Sequence, residues 1–306
     1  MKYPFSIILI VEFIIGSLIN GFIVLVNCMD WVRRRKISSV DQILTALAIS
    51  RIVLLWLVVT SILLSLHRSV KVTSKMVRMI NIFWIVTNHF NLWLSTNLSI
   101  FYVLKIIHFP NSVFLYLKRR VMKVVSVTLL LSLVLLLVNI VEINTQIDVW
   151  VDLSKRNLSY NSSSRKSAQV SKLTLTNTLF TCIPFTVSLK AFLLLIISLR
   201  KHHKKVQRNA QGCRDPSTTA HVRALKTMFA FLLIYTIFLF SNLMQIHIFE
   251  LLDKRVVIFT GMTVGLAFPL GHSCILIFGN HKLRQAALLV LWWLMLRAKH
   301  TGPCTP

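Results

Sequence analysis

Carboxylates are scarce in this chain. Nine Asp and Glu stand against 35 Lys and Arg over 306 residues, a formal net charge of +26. Charge of both signs is thin, 14% of residues against 55% hydrophobic. A chain so poor in charge and so rich in apolar residues is not a soluble domain with a large core. Cysteine is also short: Cys28, Cys182, Cys213, Cys274 and Cys304 have no spacing that suggests a disulfide framework. No His, Cys, Asp or Glu cluster has metal-ligand spacing, and no nucleophile sits with a base, so neither a metal centre nor a catalytic site is expected, and no cofactor is implied. The two halves show no repeat, which weakens a transporter reading.

What the chain has is long hydrophobic runs. Seven cover residues 5–28, 43–66, 79–104, 124–141, 173–199, 227–249 and 256–278. About 20 apolar residues cross a bilayer as a helix. The third, sixth and seventh runs hold no Asp, Glu, Lys or Arg. The expected fold is an all-α membrane protein, a single seven-transmembrane-helix bundle over residues 1–306. The run after Met1–Pro4 is longer than a cleavable signal core, so it reads as the first span acting as a signal anchor.

Basic residues orient the bundle. With the N-terminus outside, the inner segments carry 21 Lys and Arg, and the outer ones 12. Arg33-Arg34-Arg35-Lys36 directly follows the first span. Asn157-Leu158-Ser159 and Asn161-Ser162-Ser163 are N-glycosylation sequons in the long outer segment 144–172, which makes Asn157 and Asn161 the expected glycosylation sites. A third sequon at Asn97 falls inside a span, out of reach. No cysteine lies in an outer segment, so no extracellular disulfide is expected. These features point to a multi-pass protein of the plasma membrane, with the C-terminus cytoplasmic.

The basic surplus is split between both faces and interleaved with spans, which argues against nucleic acid as a partner. Anionic membrane lipid is the expected partner of juxtamembrane Lys and Arg. After the seventh span, the apolar stretch 286–296 contains Trp292 and Trp293 between Lys282, Arg284, Arg297 and Lys299. It is too short to cross, and a short interfacial C-terminal helix is expected. In the segment 201–223, Gly212 and Pro216 interrupt helix, and Asp215, Ser217 or Thr218 can cap the sixth span.

Polar residues within spans are costly unless paired, so they mark function or interhelical contacts. Arg51 in the second span reads either as part of a conformational switch with Asn20 and Ser273, or as a static clamp between helices. The third span is dense with polar and amphipathic groups. Trp84, Asn88 and Asn91 recur at i, i+4 and i+7, on one helical face. The sixth span offers Asn242, Gln245 and His247. Interhelical hydrogen bonding alone could account for such groups. A solvent-accessible pocket in the outer half accounts for their convergence as well.

Several strings resemble the bitter-taste (type 2 taste) receptor family. They are Leu47-Ala48-Ile49-Ser50-Arg51, Leu98-Ser99-Ile100-Phe101-Tyr102-Val103-Leu104-Lys105-Ile106 and Lys201-His202-His203-Lys204-Lys205. They continue with Asp215-Pro216-Ser217-Thr218, His221-Val222-Arg223-Ala224-Leu225-Lys226-Thr227, His272-Ser273-Cys274-Ile275-Leu276-Ile277 and Gly279-Asn280-His281-Lys282-Leu283-Arg284-Gln285. The resemblance covers the whole chain in order. Phe101-Tyr102 and Lys105 stand where rhodopsin-like receptors have Asp-Arg-Tyr, as in this family.

The resemblance implies a G-protein-coupled receptor, not an enzyme. Its agonists would be bitter small molecules, and its partner a heterotrimeric gustducin-type G protein acting through phospholipase C and calcium. The agonist would lie among spans three, five, six and seven. The expected ligand residues are Trp84, Asn88, Asn91, Asn177, Phe238, Asn242, Gln245, His247 and Met262, of which Trp84 and Asn88 match the family as they stand. Phe238 replaces a common Tyr, and His247 a Trp of close relatives. Met262 stands where some relatives place an acidic residue for amine ligands, which puts such recognition in doubt. The implied activation and coupling residues are Asn20, Arg51, Tyr102, Lys105, His221, Lys226, His272 and Ser273. Another chemosensory receptor, for pheromones or odorants, and a small transporter are the alternatives. Homo- or hetero-oligomerisation stays open.

Overall fold

The computed structural model describes residues 2–35, 37–66, 74–107, 112–155, 161–208, 216–248 and 254–300. Among them are nine helices and no strand: α1 (Lys2–Arg34), α2 (Ser39–Leu66), α3 (Ser74–Ile106), α4 (Ser112–Arg119), α5 (Val121–Lys155), α6 (Asn161–Arg208), α7 (Pro216–Ile248), α8 (Lys254–Gly279) and α9 (His281–His300). Backbone polar groups have no water partner in lipid, so a chain this apolar must satisfy them within helices.

Seven helices make the bundle. The packing order runs α1, α2, α3, α5, α6, α7, α8 and closes where α8 meets α1. α3 also touches α6 and α7, so it runs through the middle. Six of the seven are long and apolar enough to cross a membrane by composition, and α3 is the exception. The reason is its place. Asn91, Ser95, Thr96, Asn97 and Ser99 are buried against other helices and never meet lipid. An outer helix has the opposite problem. α5 exposes Leu130, Leu131, Val134, Leu137, Val138 and Val141 on its outward side, an apolar surface fit for acyl chains and not for water.

The helices overrun the expected spans. The fourth, expected over 124–141, extends to Lys155, and the fifth, expected over 173–199, fills a 48-residue helix. The segment 144–172, expected as the outer loop between the fourth and fifth spans, is therefore mostly helix among its described residues. Polarity there reports only that the helices rise out of the apolar zone. Asn157 lies outside the described residues, and Asn161 is the first residue of α6, with its side chain outside them. Asn97 is fully buried, and its Nδ2 donates to the Trp93 carbonyl at 2.8 Å, which accounts for a sequon that no enzyme can reach. The C-terminal helix is also longer than the stretch 286–296, at 20 residues. Leu288, Leu289, Trp292, Trp293 and Met295 on it are all exposed, as suits a helix lying at an interface.

Polar contacts tie the bundle together at the end where α1 begins, here the N-terminal face. Arg78 of α3 forms an ion pair with Asp148 of α5. Gln146 of α5 donates to Thr176 of α6 at 2.9 Å, and Gln169 donates back to the Gln146 carbonyl at 3.1 Å. The opposite face is closed by α9. Asn280 caps it, its Oδ1 accepting from the backbone N–H groups of Lys282 at 3.0 Å and Leu283 at 3.3 Å. Lys282 then reaches Asp30 of α1 at 3.1 Å and Asp41 of α2 at 3.0 Å. Two of the nine carboxylates thus share one ammonium and anchor α9 to α1 and α2.

Lys282→Met should remove the ammonium that Asp30 and Asp41 share. The pair is partly solvated, so a loss of about 1 kcal/mol is expected, read as a lower melting temperature of the detergent-solubilised protein. Adding Asp30→Asn should restore part of it. An unchanged melting temperature in Lys282→Met would show that the clasp contributes nothing.

Candidate functional site

Two polar constellations occupy the bundle, one above the other. The upper is a cavity of about 340 Å³ open toward the N-terminal face. That volume lies at the small end of the range for drug-sized ligands. Trp84 and Asn88 of α3, Asn177 and Thr181 of α6, Phe238, Asn242 and Gln245 of α7, and Met262 of α8 line it. Of the expected ligand residues, seven therefore meet in one cavity. His247 is in the last turn of α7, with its side chain outside the described residues. Asn91 is not in the lining. It follows Asn88 by three residues, one turn deeper, and belongs to the lower constellation.

Local packing shapes the cavity wall. Trp84 packs with Leu9, Leu55, Val58, Leu266 and Met262, so helices α1, α2 and α8 hold its ring from behind. Gly265 of α8 lies against the ring, where a Cβ would make ordinary contact with its Cη2 at 3.5 Å. Gly261, one turn away, is stricter: a Cβ would stand 2.9 Å from Gln245 Cδ. Below Phe238 lies an aromatic stack. Phe238 and Phe268 rings are 5.0 Å apart and 21° from parallel. Tyr235 is fully buried beside them, and its hydroxyl donates to the Thr181 carbonyl at 2.9 Å, tying α7 to the cavity wall on α6.

The lower constellation centres on Arg51, 1% exposed. Its Nε donates to Asn91 Oδ1 at 3.0 Å, Nη1 to Ser273 Oγ at 2.7 Å, and Nη2 to Ser95 Oγ at 3.4 Å. Nη2 also lies 2.7 Å from His272 Nδ1. A guanidinium only donates, so Nδ1 accepts and the His272 proton sits on Nε2. Ser273 passes its own proton to Asn20 Oδ1 at 2.8 Å or to the Pro269 carbonyl at 3.0 Å. Asn20 Nδ2 donates to the Gly16 carbonyl at 2.8 Å. One side chain thereby joins α1, α2, α3 and α8. All four partners of the guanidinium are neutral.

The remaining expected coupling residues lie at the opposite end from the cavity opening. Tyr102 packs at the junction of two apolar clusters. Lys105 is exposed, its Nζ 6.0 Å from the Phe101 ring centroid. Lys118 of α4 donates to the Ile107 carbonyl at 3.1 Å. Partial burial, and then the neighbouring Lys105, push its ammonium below the usual range. Lys226 is exposed on α7, and the His221 side chain is outside the described residues.

Sequence reasoning did not single out Ser95, Thr181, Tyr235 or Gly261. Ser and Thr in membrane helices mostly bond their own i−4 carbonyl, as Thr181 does to Asn177, so the residue type carries no signal. Only the neighbouring helix shows which of them matter.

A central cavity opening at one end, a buried polar hub beneath it and a basic opposite end, all in a bundle of seven membrane helices, define a G-protein-coupled receptor. The family model described as "Taste receptor protein (TAS2R)" matches residues 1–295, and the chain belongs to that family. It is 56% identical to taste receptor type 2 member 140 of Rattus norvegicus over 94% of this chain and 93% of that one. It is 53% identical to member 125 of Rattus norvegicus, over 98% and 97%. It is 49% identical to member 14 of Homo sapiens, over 99% and 96%. The protein is thus a multi-pass membrane receptor of the bitter-taste class and not an enzyme, and membership sets aside the pheromone, odorant and transporter alternatives.

Arg51→Ala would strip the donor from Asn91 Oδ1 and leave His272 Nδ1 only the Ser95 hydroxyl at 3.3 Å, deep in the bundle. Each orphaned group costs about 1–3 kcal/mol, so surface expression or signalling should fall steeply. Wild-type surface level with an unchanged dose–response would make Arg51 a bystander. Gly261→Ala should displace the flexible Gln245 side chain without unfolding the bundle. Agonist potency should move at normal surface level, and an unmoved potency for several agonists would show that Gln245 does not meet them.

Proposed function

We propose that the receptor binds bitter small organic molecules in the cavity between α3, α6, α7 and α8, and answers by activating a gustducin-type G protein, phospholipase C and calcium release. The observation that carries this is the stacking of the two constellations. Asn88 lines the cavity, and Asn91, one turn deeper, holds Arg51. A ligand that shifts α3 or α8 by a fraction of an ångström disturbs donors and acceptors on four helices at once. Buried polar networks are bistable in this way, because a half-satisfied arrangement is costly.

The cavity chemistry suits broad recognition. Trp84 offers an aromatic face, and Asn81, Asn88, Asn177, Asn242 and Gln245 supply carboxamides that donate and accept. Most affinity would come from burial, with the carboxamides setting orientation. In this reading the N-terminal face is extracellular at the plasma membrane, and Asn157 or Asn161 carries glycan. Tyr102, Lys105, His221 and Lys226 meet the G protein, and α9 rests on anionic lipid. Arg51, Asn20, His272 and Ser273 form the switch.

A calcium dose–response series with two chemically distinct agonists, normalised to surface expression, tests the assignment. Trp84→Ala and Asn88→Ala should shift potency, and differently for each agonist. Lys105→Ala and Tyr102→Ala should lower the maximal response to all agonists alike. If the cavity substitutions cut every response equally with potencies unchanged, those residues are structural. Changing both Asn157 and Asn161 to Gln should abolish a glycosidase-sensitive mobility shift, and a persisting shift would overturn the topology.

A further inference from the structure

We propose that Gly279 of α8 and Thr227 of α7 form a latch that keeps the inner ends of these helices together until an agonist acts. The proposal rests on the receptor engaging its G protein at the end opposite the cavity. A Cβ on Gly279 would stand 2.6 Å from Thr227 Oγ1 and 3.2 Å from Thr227 Cγ2, so nothing larger than glycine fits without a shift. The backbone itself does not call for glycine here. Gly279 has no positive φ, and alanine is the better residue in a helix. What requires glycine is the close approach of α7. Thr227 is buried, and its hydroxyl donates to the Arg223 carbonyl at 3.0 Å, which holds the side chain against the seam.

The same stretch of α7 also packs toward the bundle centre. Ala224 and Met228 join Val103 and Ile107 of α3 and Ala191 and Leu195 of α6 in one apolar cluster. The inner end of α7 is therefore wedged between that cluster and α8. Lys226 follows on α7 beside Thr227, and Lys105 stands on α3 between Val103 and Ile107, both exposed. Parting the latch moves one of these proposed G-protein contacts relative to the other. The seam reaches the cavity as well. Gln245 lines the cavity and lies against Gly261, and each is 18 residues from its latch partner on the same helix. Equal spacing places the two contacts at opposite ends of one antiparallel seam, about 27 Å apart. Pro269 of α8 lies between them and leaves that helix one backbone hydrogen bond short, a place for it to bend. An agonist that displaces Gln245 loads the seam at one end, and the latch yields at the other.

The test uses the full-length receptor in cells with its G protein, normalised to surface expression. Gly279→Ala should raise agonist-independent calcium signalling by about fivefold or more, the lower end of an allosteric coupling. Adding Thr227→Ala removes both close atoms, since the remaining Cβ would be 3.5 Å away, and should return signalling to the level of Thr227→Ala alone. Basal signalling at or below wild type in Gly279→Ala, or a rise that Thr227→Ala does not reverse, overturns the latch. A cysteine pair decides independently, and stands in if Gly279→Ala fails to reach the surface. That 3.5 Å Cβ separation lies within the disulfide range, so Thr227→Cys with Gly279→Cys should cross-link when membranes are oxidised. Loss of maleimide-reactive thiols counts the bond. The cross-link should abolish nucleotide exchange stimulated by every agonist, and a reductant should restore it. A pair that does not cross-link, or a cross-linked receptor that still responds, overturns the proposal. If the cross-link blocks all agonists while Trp84→Ala moves no potency, the latch stands and the cavity assignment falls. If Trp84→Ala shifts potency while the cross-linked receptor responds normally, the cavity stands and only the latch falls.

Discussion

The bundle depends on a buried guanidinium that pairs with no carboxylate among the described residues. Placing Arg51 at 1% exposure among membrane helices is costly. Its four neutral partners compensate through hydrogen bonds, and they come from α3 and α8. Ser273 then extends the hub to Asn20 of α1. The identity of these residues constrains one another. Asn91 must present its oxygen, His272 must keep Nδ1 free of a proton, and Ser273 must accept from Arg51 while donating onward. Four of the seven spanning helices therefore have their depth and rotation set at one point. No comparable demand exists on α5, which meets lipid along most of its length.

The unusual composition of α3 follows from its central position. A helix that touches α2, α5, α6 and α7 does not need to be lipophilic. It can carry Asn91, Ser95, Thr96 and Asn97 at depth and serve as the connector. Thr96 donates to the Pro184 carbonyl of α6 at 3.2 Å, across from the Arg51 hub on the same helix. The cavity sits at the upper end of α3, and Tyr102 and Lys105 at the lower end. In the proposed function these lie along a single helix, with recognition above, the polar hub in the middle and the cytoplasmic end below.

Scarcity of acid shapes both ends. Three carboxylates outside the spans are held by cations, Asp148 by Arg78 and the pair Asp30 and Asp41 by Lys282. At the N-terminal face the ion pair and the Gln146 contacts link α3, α5 and α6 where no cysteine is available to do so. At the other face Lys282 determines where α9 leaves the bundle.

The linear chain alone determined the seven membrane helices, because hydrophobic length is a local property and lipid reads it residue by residue. It also determined which residues were too polar to face lipid: Arg51, Asn20, Asn91, Ser273 and the Trp84–Asn88 face all stand out against their apolar neighbours. The taste-receptor family was legible in strings such as Leu47–Arg51 and His272–Ile277. Tertiary structure decided the rest. Asn88 and Asn91 share a helical face, yet one lines a cavity and the other binds a guanidinium, since the neighbouring helices differ one turn apart. The 144–172 segment is mostly helix although it lies between the apolar runs, because beyond the apolar zone helix and loop are equally polar. Tyr235, Ser95 and Gly261 gained their roles only from what lies opposite them, and that is a matter of packing between helices that no local pattern records.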